Sequence, residues 1–174
     1  TSNITTLNNS GTISGFANAI AVGIYLAPNK DRTSGSSIGT LTNSGTISGS
    51  ASSDGRGIYL DISEITTLTN LSTISGSADV NNAFGIFIAD TSTVGTITNS
   101  GTITASAGDD DAYGIFIDDT STVGTITNSG TITASAGVDD AYGIYVDTKS
   151  SVGTLTNSGT ITTSAGEDDA VGIF

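Results

Sequence analysis

Apolar and polar residues alternate in short segments along this chain, and the segments recur at a fixed interval. The segment Thr-Ile-Thr-Asn-Ser-Gly-Thr-Ile occupies residues 96–103 and again residues 125–132. Its asparagine has a counterpart in every repeat, and the successive spacings are 34, 27, 29, 29 and 29 residues. These anchor asparagines are Asn9, Asn43, Asn70, Asn99, Asn128 and Asn157. A period of about 20 to 50 residues is typical of solenoids and other repeat architectures.

Each repeat contains three short segments that have the two-residue period of a β-strand. In the fourth repeat these segments are residues 96–99, 102–107 and 113–117. In the middle segment Ile103, Ala105 and Ala107 share one face, and threonine and serine occupy the other. β-Branched residues and glycine dominate, and no apolar position recurs at helical spacing. The pattern predicts three strands per repeat, no helix, and a loop for the extra residues between Leu26 and Ile38.

Stacking the repeats as coils places identical aliphatic residues above one another, about 4.8 Å apart. One coil cannot bury its apolar face alone, so neighbouring coils must cover it. We therefore predict an all-β fold, a parallel β-solenoid (β-helix) of about six coils of about 29 residues, with residues 1–174 forming one domain. The small inward residues Gly76 and Ala105 predict a narrow place where opposite walls approach. The predicted aliphatic columns are Leu7, Leu41, Leu68, Ile97, Ile126 and Leu155; Ile13, Ile47, Ile74, Ile103, Ile132 and Ile161; and Ile24, Ile58, Ile86, Ile115, Ile144 and Ile173.

The anchor asparagines form a further column, for which we predict a structural role. Amide side chains that are stacked in register can hydrogen-bond along a ladder at a turn. We expect the glycines two residues later to supply the positive φ that a tight corner often requires. These glycines are Gly11, Gly45, Gly101, Gly130 and Gly159.

Charge and composition narrow the classes of function. The chain has 17 acidic and 4 basic residues, and its net charge is −13 at pH 7. This charge repels nucleic acid and anionic lipid, so we expect no nucleic-acid partner. The absence of cysteine excludes a disulfide framework and thiolate metal sites. The longest apolar run, residues 19–27, is far shorter than the roughly 20 residues of a membrane helix, so we expect no membrane span in this segment.

An acidic turn recurs in the last three repeats. Its carboxylates fall into two columns, which are Asp110, Asp139 and Asp168, and Asp111, Asp140 and Asp169. Like charges about 5 Å apart repel each other, and a calcium ion bound through carboxylate and carbonyl oxygens would relieve the repulsion. A solvated acidic edge that keeps the protein soluble is the alternative. We expect no other cofactor.

An aromatic residue follows the isoleucine of the third segment in every repeat. If the flanking aliphatic residues point inward, these rings point outward and form a continuous apolar stripe suited to self-association. The alternative places the rings in the core and exposes the aliphatic residues. The residues of this stripe are Tyr25, Tyr59, Phe87, Phe116, Tyr145 and Phe174.

Threonine pairs flank the aliphatic residue of the first segment, as at Thr96 and Thr98. They resemble the Thr-x-Thr faces of ice-binding proteins, although β propensity and solubility alone favour outward threonine on a strand. Catalysis is not expected, because the acids repeat from coil to coil whereas an active site is a single irregular place. The chain also has no histidine and few basic residues that would stabilise a developing charge.

The run Thr-Leu-Thr-Asn-Ser-Gly-Thr-Ile, followed by Gly-Ile-Tyr, resembles the passenger repeats of bacterial autotransporters and related large surface adhesins. The resemblance covers essentially the whole chain. It implies a right-handed parallel β-helix that is exported and displayed outside the outer membrane. Similar coils also occur in phage tail proteins, haemagglutinin-like exoproteins and extracellular filaments. No catalytic residue of the family maps onto this chain.

We therefore expect an extracellular stalk or adhesive repeat on the bacterial cell surface. It would associate with itself axially, through its ends, or laterally, through the aromatic stripe. Both ends lie inside a coil, as expected for a segment of a longer array. A subunit of a homopolymeric extracellular filament is one alternative, and an ice- or glycan-binding solenoid is another. Host-surface or glycan ligands are further classes of partner.

Overall fold

The structure, a computed structural model, describes residues 2–174, which form eighteen β-strands and no helix. The chain makes three strands per turn, and each strand pairs in parallel with the strand three positions later. Three six-stranded parallel sheets result, so the predicted parallel β-solenoid with three strands per coil is confirmed. Thr1, the first residue of the predicted domain, lies outside the described residues.

The first sheet carries the anchor asparagines at the ends of its strands. Its register places Ile97 between Leu68 and Ile126, and Asn99 between Asn70 and Asn128. The fourth strand of this sheet begins at Thr93, three residues earlier than the sequence predicts. The strands are β1 (Asn3–Asn9), β4 (Ser37–Asn43), β7 (Glu64–Asn70), β10 (Thr93–Asn99), β13 (Thr122–Asn128) and β16 (Ser151–Asn157).

The second sheet follows the asparagine corner and alternates strictly between buried and outward residues. Ile103, Ala105 and Ala107 are all buried, as predicted. A Cβ atom added to Gly49 would lie 2.5 Å from the carbonyl oxygen of Ala21 on the opposite wall. The walls do approach here, which is why only glycine and small residues fit. The strands are β2 (Thr12–Ala17), β5 (Thr46–Ala51), β8 (Thr73–Ala78), β11 (Thr102–Ala107), β14 (Thr131–Ala136) and β17 (Thr160–Ser164).

The third sheet breaks the alternation once in each complete strand. In β12 both Gly114 and Ile115 are buried, whereas Tyr113 and Phe116 lie on the outside. A Cβ atom on Gly114 would lie 2.5 Å from the Gly143 carbonyl oxygen, so a side chain does not fit at this inward position. The strands are β3 (Ile20–Leu26), β6 (Asp54–Asp61), β9 (Ala83–Ala89), β12 (Ala112–Ile117), β15 (Ala141–Val146) and β18 (Ala170–Ile173).

The core between the sheets contains the predicted aliphatic columns and two that were not predicted: Ile38, Ile65, Val94 and Val123; and Leu26, Leu60, Ile88 and Ile117. Leu68, Ile97, Ile103 and Ile115 are completely buried, and the same cluster continues through the neighbouring coils. Each such side chain contributes about 1.5 to 3 kcal/mol relative to an exposed one. Every coil thus depends on its neighbours for the burial of its apolar face.

The predicted role of the corner glycines is wrong, because no glycine of the described chain has a positive φ. Four of these glycines, Gly45, Gly101, Gly130 and Gly159, leave no room for a side chain because corner backbones stack closely: a Cβ atom on Gly45 would collide with the carbonyl oxygen of Gly11 one coil away. Positive φ values occur instead at the corner after the third strand, at Asp119 (49°) and Thr120 (61°). Their counterparts Asp90 and Thr91 share this conformation.

Candidate functional site: an aromatic face between two acidic edges

The anchor asparagines form a continuous amide ladder at the corner between the first and second strands. The Nδ2 atom of Asn70 donates to Oδ1 of Asn99 at 2.8 Å, and Nδ2 of Asn99 donates to Oδ1 of Asn128 at 2.7 Å. The same bond joins Asn9 to Asn43, Asn43 to Asn70 and Asn128 to Asn157. The amides at Asn43, Asn70 and Asn99 are fully buried. The ladder is therefore internal and satisfies its own hydrogen bonds, as a structural element does.

A second polar ladder, which the sequence analysis missed, lies at the corner after the third strand. The backbone N–H of Ser63 donates to the Ser92 hydroxyl at 3.0 Å, and that of Ser92 donates to the Ser121 hydroxyl at 3.1 Å. Ser36 and Ser150 extend the ladder in both directions. The signal was present in the sequence, because these serines are separated by 27, 29, 29 and 29 residues.

The predicted aromatic stripe lies on the outer surface of the third sheet. Ile58 and Leu60, which flank Tyr59, are fully buried, so the outward alternative is the one that the structure shows. The rings stack along the solenoid axis, with centroids 4.9 Å apart for Tyr25 and Tyr59 and 5.0 Å apart for Tyr59 and Phe87. Phe116, Tyr145 and Phe174 continue the column.

A second aromatic column lies beside the first and was not predicted. Phe84, Tyr113 and Tyr142 align in the register of the third sheet. Phe84 stacks on Phe87 with centroids 4.6 Å apart, and Tyr113 stacks on Phe116 at the same distance. The sequence signal was their spacing of 29 residues, but strict alternation would have placed them on the other side of the strand from Phe87 and Phe116. We call the two columns together the aromatic face.

The rings of the aromatic face shield one another. Phe87 and Phe116 are nearly parallel, at 4°, so their faces are turned toward each other and their edges toward the solvent. Tyr59, Phe87 and Phe116 are consequently half-buried, whereas Tyr25 is 51% exposed. Tyr145 is turned by 86° relative to Phe116. The face therefore offers less apolar surface than free rings would.

The first acidic edge of the aromatic face is formed by carboxylates at the starts of the third-sheet strands. Oδ1 of Asp111 accepts the backbone N–H of Asp140 at 3.0 Å, and Oδ2 accepts the Tyr113 hydroxyl at 2.8 Å. Asp140 accepts the backbone N–H of Asp169 and the Tyr142 hydroxyl in the same way. Burial, followed by the hydrogen bond to Asp111, raises the pKa of Tyr113. Asp111 and Asp140 thus join consecutive coils and orient the rings.

The predicted calcium site falls next to this edge. Asp110, Asp111 and Asp139 each offer a carboxylate oxygen, and these oxygens lie within 4.8 Å of one another. Desolvation, followed by the hydrogen bond to Asp110, raises the pKa of Asp139. Asp168 and Asp169 are exposed. Asp111 and Asp140 already accept two hydrogen bonds each, whereas Asp110 and Asp139 lie beside each other and offer their remaining oxygens. Calcium binding stays a prediction.

The second acidic edge lies where the third-sheet strands end. Asp61 is almost fully buried there and accepts both a bidentate ion pair from Arg32, at 2.8 and 2.9 Å, and the Tyr25 hydroxyl at 3.0 Å. Arg32 also lies 3.4 Å from Asp90. Its loop, the predicted insertion before β4, is thereby fixed to the next coil. Burial raises the pKa of Asp118 on this edge, and the backbone hydrogen bond from Asp119 opposes this rise.

Further charged side chains lie along the second acidic edge. Asp147 and Asp90 add to the negative potential at Asp118. Lys149 lines the same open groove as Arg32, Asp90 and Asp119. The edge is therefore acidic, with one arginine paired to it and one lysine beside it.

Fold and surface together define the class of this protein as a parallel β-solenoid repeat protein. Comparison of the chain with protein-family models, with curated proteins and with solved structures found no match. Among the described residues there is no helix that is long and apolar enough to cross a membrane.

Proposed function

We propose that this chain is a structural and adhesive repeat region of a bacterial surface protein of the autotransporter-passenger or large-adhesin kind. It acts outside the cell as a stalk and presents the aromatic face as its contact surface. The observation that carries the proposal is the continuity of this face, which extends from Tyr25 to Phe174 over all six levels of the third sheet. The resemblance of the repeats to surface adhesins supports the location.

The stack of coils suits a stalk. Every strand repeats the register of its neighbour, so each further coil lengthens the solenoid by about 4.8 Å without altering its sides. The two internal ladders and the aliphatic columns run in the same direction, so the stack is held together along its whole length. A stack of this kind holds a distal region away from a surface while repeating one contact face.

The first partner that we propose for the aromatic face is a second copy of the chain. Fully burying one aromatic ring contributes on the order of 2 kcal/mol, and partial contacts repeated over several coils offset the entropic cost of association. The two acidic edges oppose such pairing through like-charge repulsion. Salt screens charges that are separated by more than about 10 Å at 0.1 M, so lateral association should strengthen as the salt concentration rises.

Replacing Tyr59, Phe87, Phe116 and Tyr145 by serine tests this proposal. We expect light scattering to show lateral assembly of the parent at high protein and salt concentration, and its loss in the variant. Circular dichroism should show retained β-structure, because these rings lie outside the core. The matched control replaces four outward threonines of the first sheet, Thr67, Thr96, Thr125 and Thr154, by serine and should assemble like the parent.

If the parent protein stays monomeric under all these conditions, self-association is contradicted, and the function would be that of a passive spacer. Electron microscopy of assembled samples separates an adhesive stalk from a filament subunit. Side-by-side bundles of short rods support an adhesive stalk, whereas long uniform fibres support the filament subunit. Labelling of intact cells that express the complete reading frame, with an antibody against this segment, tests the extracellular location.

A further inference from the structure

We propose that the second acidic edge and the adjoining aromatic face bind an arginine-bearing segment of a partner protein at Asp118 and Asp147. This inference rests on the proposed function in one respect, because it uses the same contact face. It adds the chemistry of a partner for that face. Two arginine residues of the chain itself, Arg32 and Arg56, dock on the edges of the face and show how these edges hold a guanidinium group.

The first bound arginine is Arg32. Its guanidinium forms two hydrogen bonds with Asp61, at 2.8 and 2.9 Å, while the hydroxyl of Tyr25 donates to the same carboxylate. The carboxylate thus belongs to one coil and the aromatic ring to the preceding coil. Arg32 comes from the loop before β4 and not from the sheet, so it docks onto the edge from outside.

The carboxylate that binds Arg32 recurs higher in the stack. Asp61 aligns with Ala89 in the register of the third sheet, and the following members of this column are Asp118 and Asp147. Tyr25 lies in the coil that precedes Asp61. The corresponding rings are Phe87 in the coil that precedes Asp118 and Phe116 in the coil that precedes Asp147. In the described part of the chain, neither Asp118 nor Asp147 forms an ion pair. The pairing of a carboxylate with a ring of the preceding coil is therefore repeated twice without an ion-paired cation, with phenylalanine in place of Tyr25 and so without its hydroxyl hydrogen bond.

The second bound arginine is Arg56, at the opposite edge of the face. Its guanidinium carbon lies 4.6 Å from the centroid of Tyr59, and its Nη2 atom lies 3.0 Å from Asp54. Arg56 aligns with Phe84 in the second aromatic column, so the guanidinium takes the place of a ring. Such contacts between a guanidinium and an aromatic ring are favourable. The face thus binds a guanidinium between a ring and a carboxylate at this edge, whereas Arg32 at the second edge is bound through the carboxylates of Asp61 and Asp90.

Charge complementarity favours a basic partner at the second acidic edge itself, beside the aromatic face that a second copy would contact. Asp118 is surrounded by the negative charges of Asp119, Asp147 and Asp90. Two cations of the described chain line this groove, Lys149 and Arg32, and Arg32 is paired with Asp61 and Asp90. A second copy would bring equal acidic edges together. An arginine instead packs its aliphatic stem along ring edges and places its head on a carboxylate, a charge-assisted and often bidentate interaction.

The experiment measures binding of a fluorescently labelled peptide, in which arginine alternates with glycine, to the folded chain by anisotropy. The test variant combines Asp118→Asn, Asp119→Asn and Asp147→Asn. The control variant removes the same charge from other surfaces, through Glu64→Gln, Asp79→Asn and Glu167→Gln, which are exposed residues. At about 0.15 M salt, where distant charges are screened, we expect the test variant to bind about tenfold more weakly and the control less than about threefold.

A second variant, Phe116→Ser, probes the aromatic contribution at Asp147 without changing charge, and we expect weaker binding there as well. A lysine–glycine peptide should bind more weakly than the arginine peptide, because a guanidinium bonds two carboxylate oxygens at once. Equal losses in the two triple variants would show non-specific attraction to an acidic protein and overturn the proposal. An absence of binding in the parent would overturn it too.

Light scattering at the concentrations of the titration separates this proposal from self-association. Peptide binding by a monomer that does not assemble supports the arginine site alone. Assembly that is unaffected by the peptide, without binding of the peptide, makes a second copy the occupant and overturns the arginine site.

Discussion

At the scale of single residues, the buried asparagines illustrate how a repeated side chain holds two coils together. The amide of Asn99 accepts from Asn70, donates to Asn128 and donates to the carbonyl oxygen of Thr131. A buried polar group without a partner costs about 1 to 3 kcal/mol. The ladder is therefore stable as a whole, whereas loss of one member leaves groups on both sides without partners.

Asn99→Leu tests this dependence. The change removes the acceptor for Asn70 and the donor for both Asn128 and Thr131, so the free energy of unfolding should fall by about 2 to 5 kcal/mol. Urea denaturation followed by circular dichroism measures it. The control Asn81→Ala, at an exposed asparagine outside the ladder, should change the free energy by less than about 0.5 kcal/mol. An Asn99→Leu variant as stable as the parent would contradict the structural role.

At the scale of elements, the third strand and the acidic turn before it determine the outer surface. The inward position of Gly114 breaks the alternation, and Tyr113 and Phe116 consequently share one face. The turn before the strand then supplies Asp111, which holds the Tyr113 hydroxyl and the amide of Asp140. The turn and the strand form one unit. Repetition of this unit from coil to coil produces the aromatic face and the first acidic edge beside it.

Calcium binding is a prediction about this turn. We expect calorimetry to show saturable heat when calcium is added to the parent, and loss of that heat in the variant Asp139→Asn, Asp140→Asn, because the change removes carboxylate ligands. The variant should fold, since Asn82 occupies the same column and accepts the backbone N–H of Asp111. Titration with excess chelator is the control.

Two results would contradict the calcium prediction. Unchanged heat in the double variant would place the calcium site elsewhere in the chain. A parent protein that gives no heat would leave a solvated acidic edge, with Asp111 and Asp140 retaining their hydrogen-bonding role.

At the scale of the whole molecule, the repeats are interchangeable units. Residues 96–103 and 125–132 are identical in sequence, and β10, β11 and β12 pair in register with β13, β14 and β15. In such a stack, stability is approximately a sum of coil and interface contributions. Removal of one complete coil should therefore preserve every remaining column.

Deletion of residues 101–129 tests this modularity. The deletion joins Ser100 to Gly130 and recreates the anchor segment, so we expect a folded solenoid that is one coil shorter. Its circular dichroism should resemble that of the parent, and its urea midpoint should be lower because one interface is lost. Deletion of residues 101–114, about half a coil, shifts every column and should abolish folding. Unfolding of both variants would refute the modular description.

Much of this architecture could be predicted from the sequence, because a fixed period brings the same residue type to the same place in every coil. The aliphatic columns, the asparagine ladder and three strands per coil follow from that period and from the alternation of side chains. The serine ladder has the same spacing, but serine is common in this chain and its hydroxyls bond backbone N–H groups rather than one another. Its role becomes visible only in the folded corner.

The sequence by itself determined the length of the coil, the stacking order and three of the aliphatic columns of the core, since these depend on periodicity and on the alternation of side chains. Tertiary structure decided how the chain turns and what each surface presents. Gly45 is required by a carbonyl oxygen one coil away, and Gly114 by the backbone of the next strand. The docking of Arg32 on Asp61 likewise joins a loop to a neighbouring coil. These contacts lie between residues distant in sequence, so their geometry appears only when the coils are stacked.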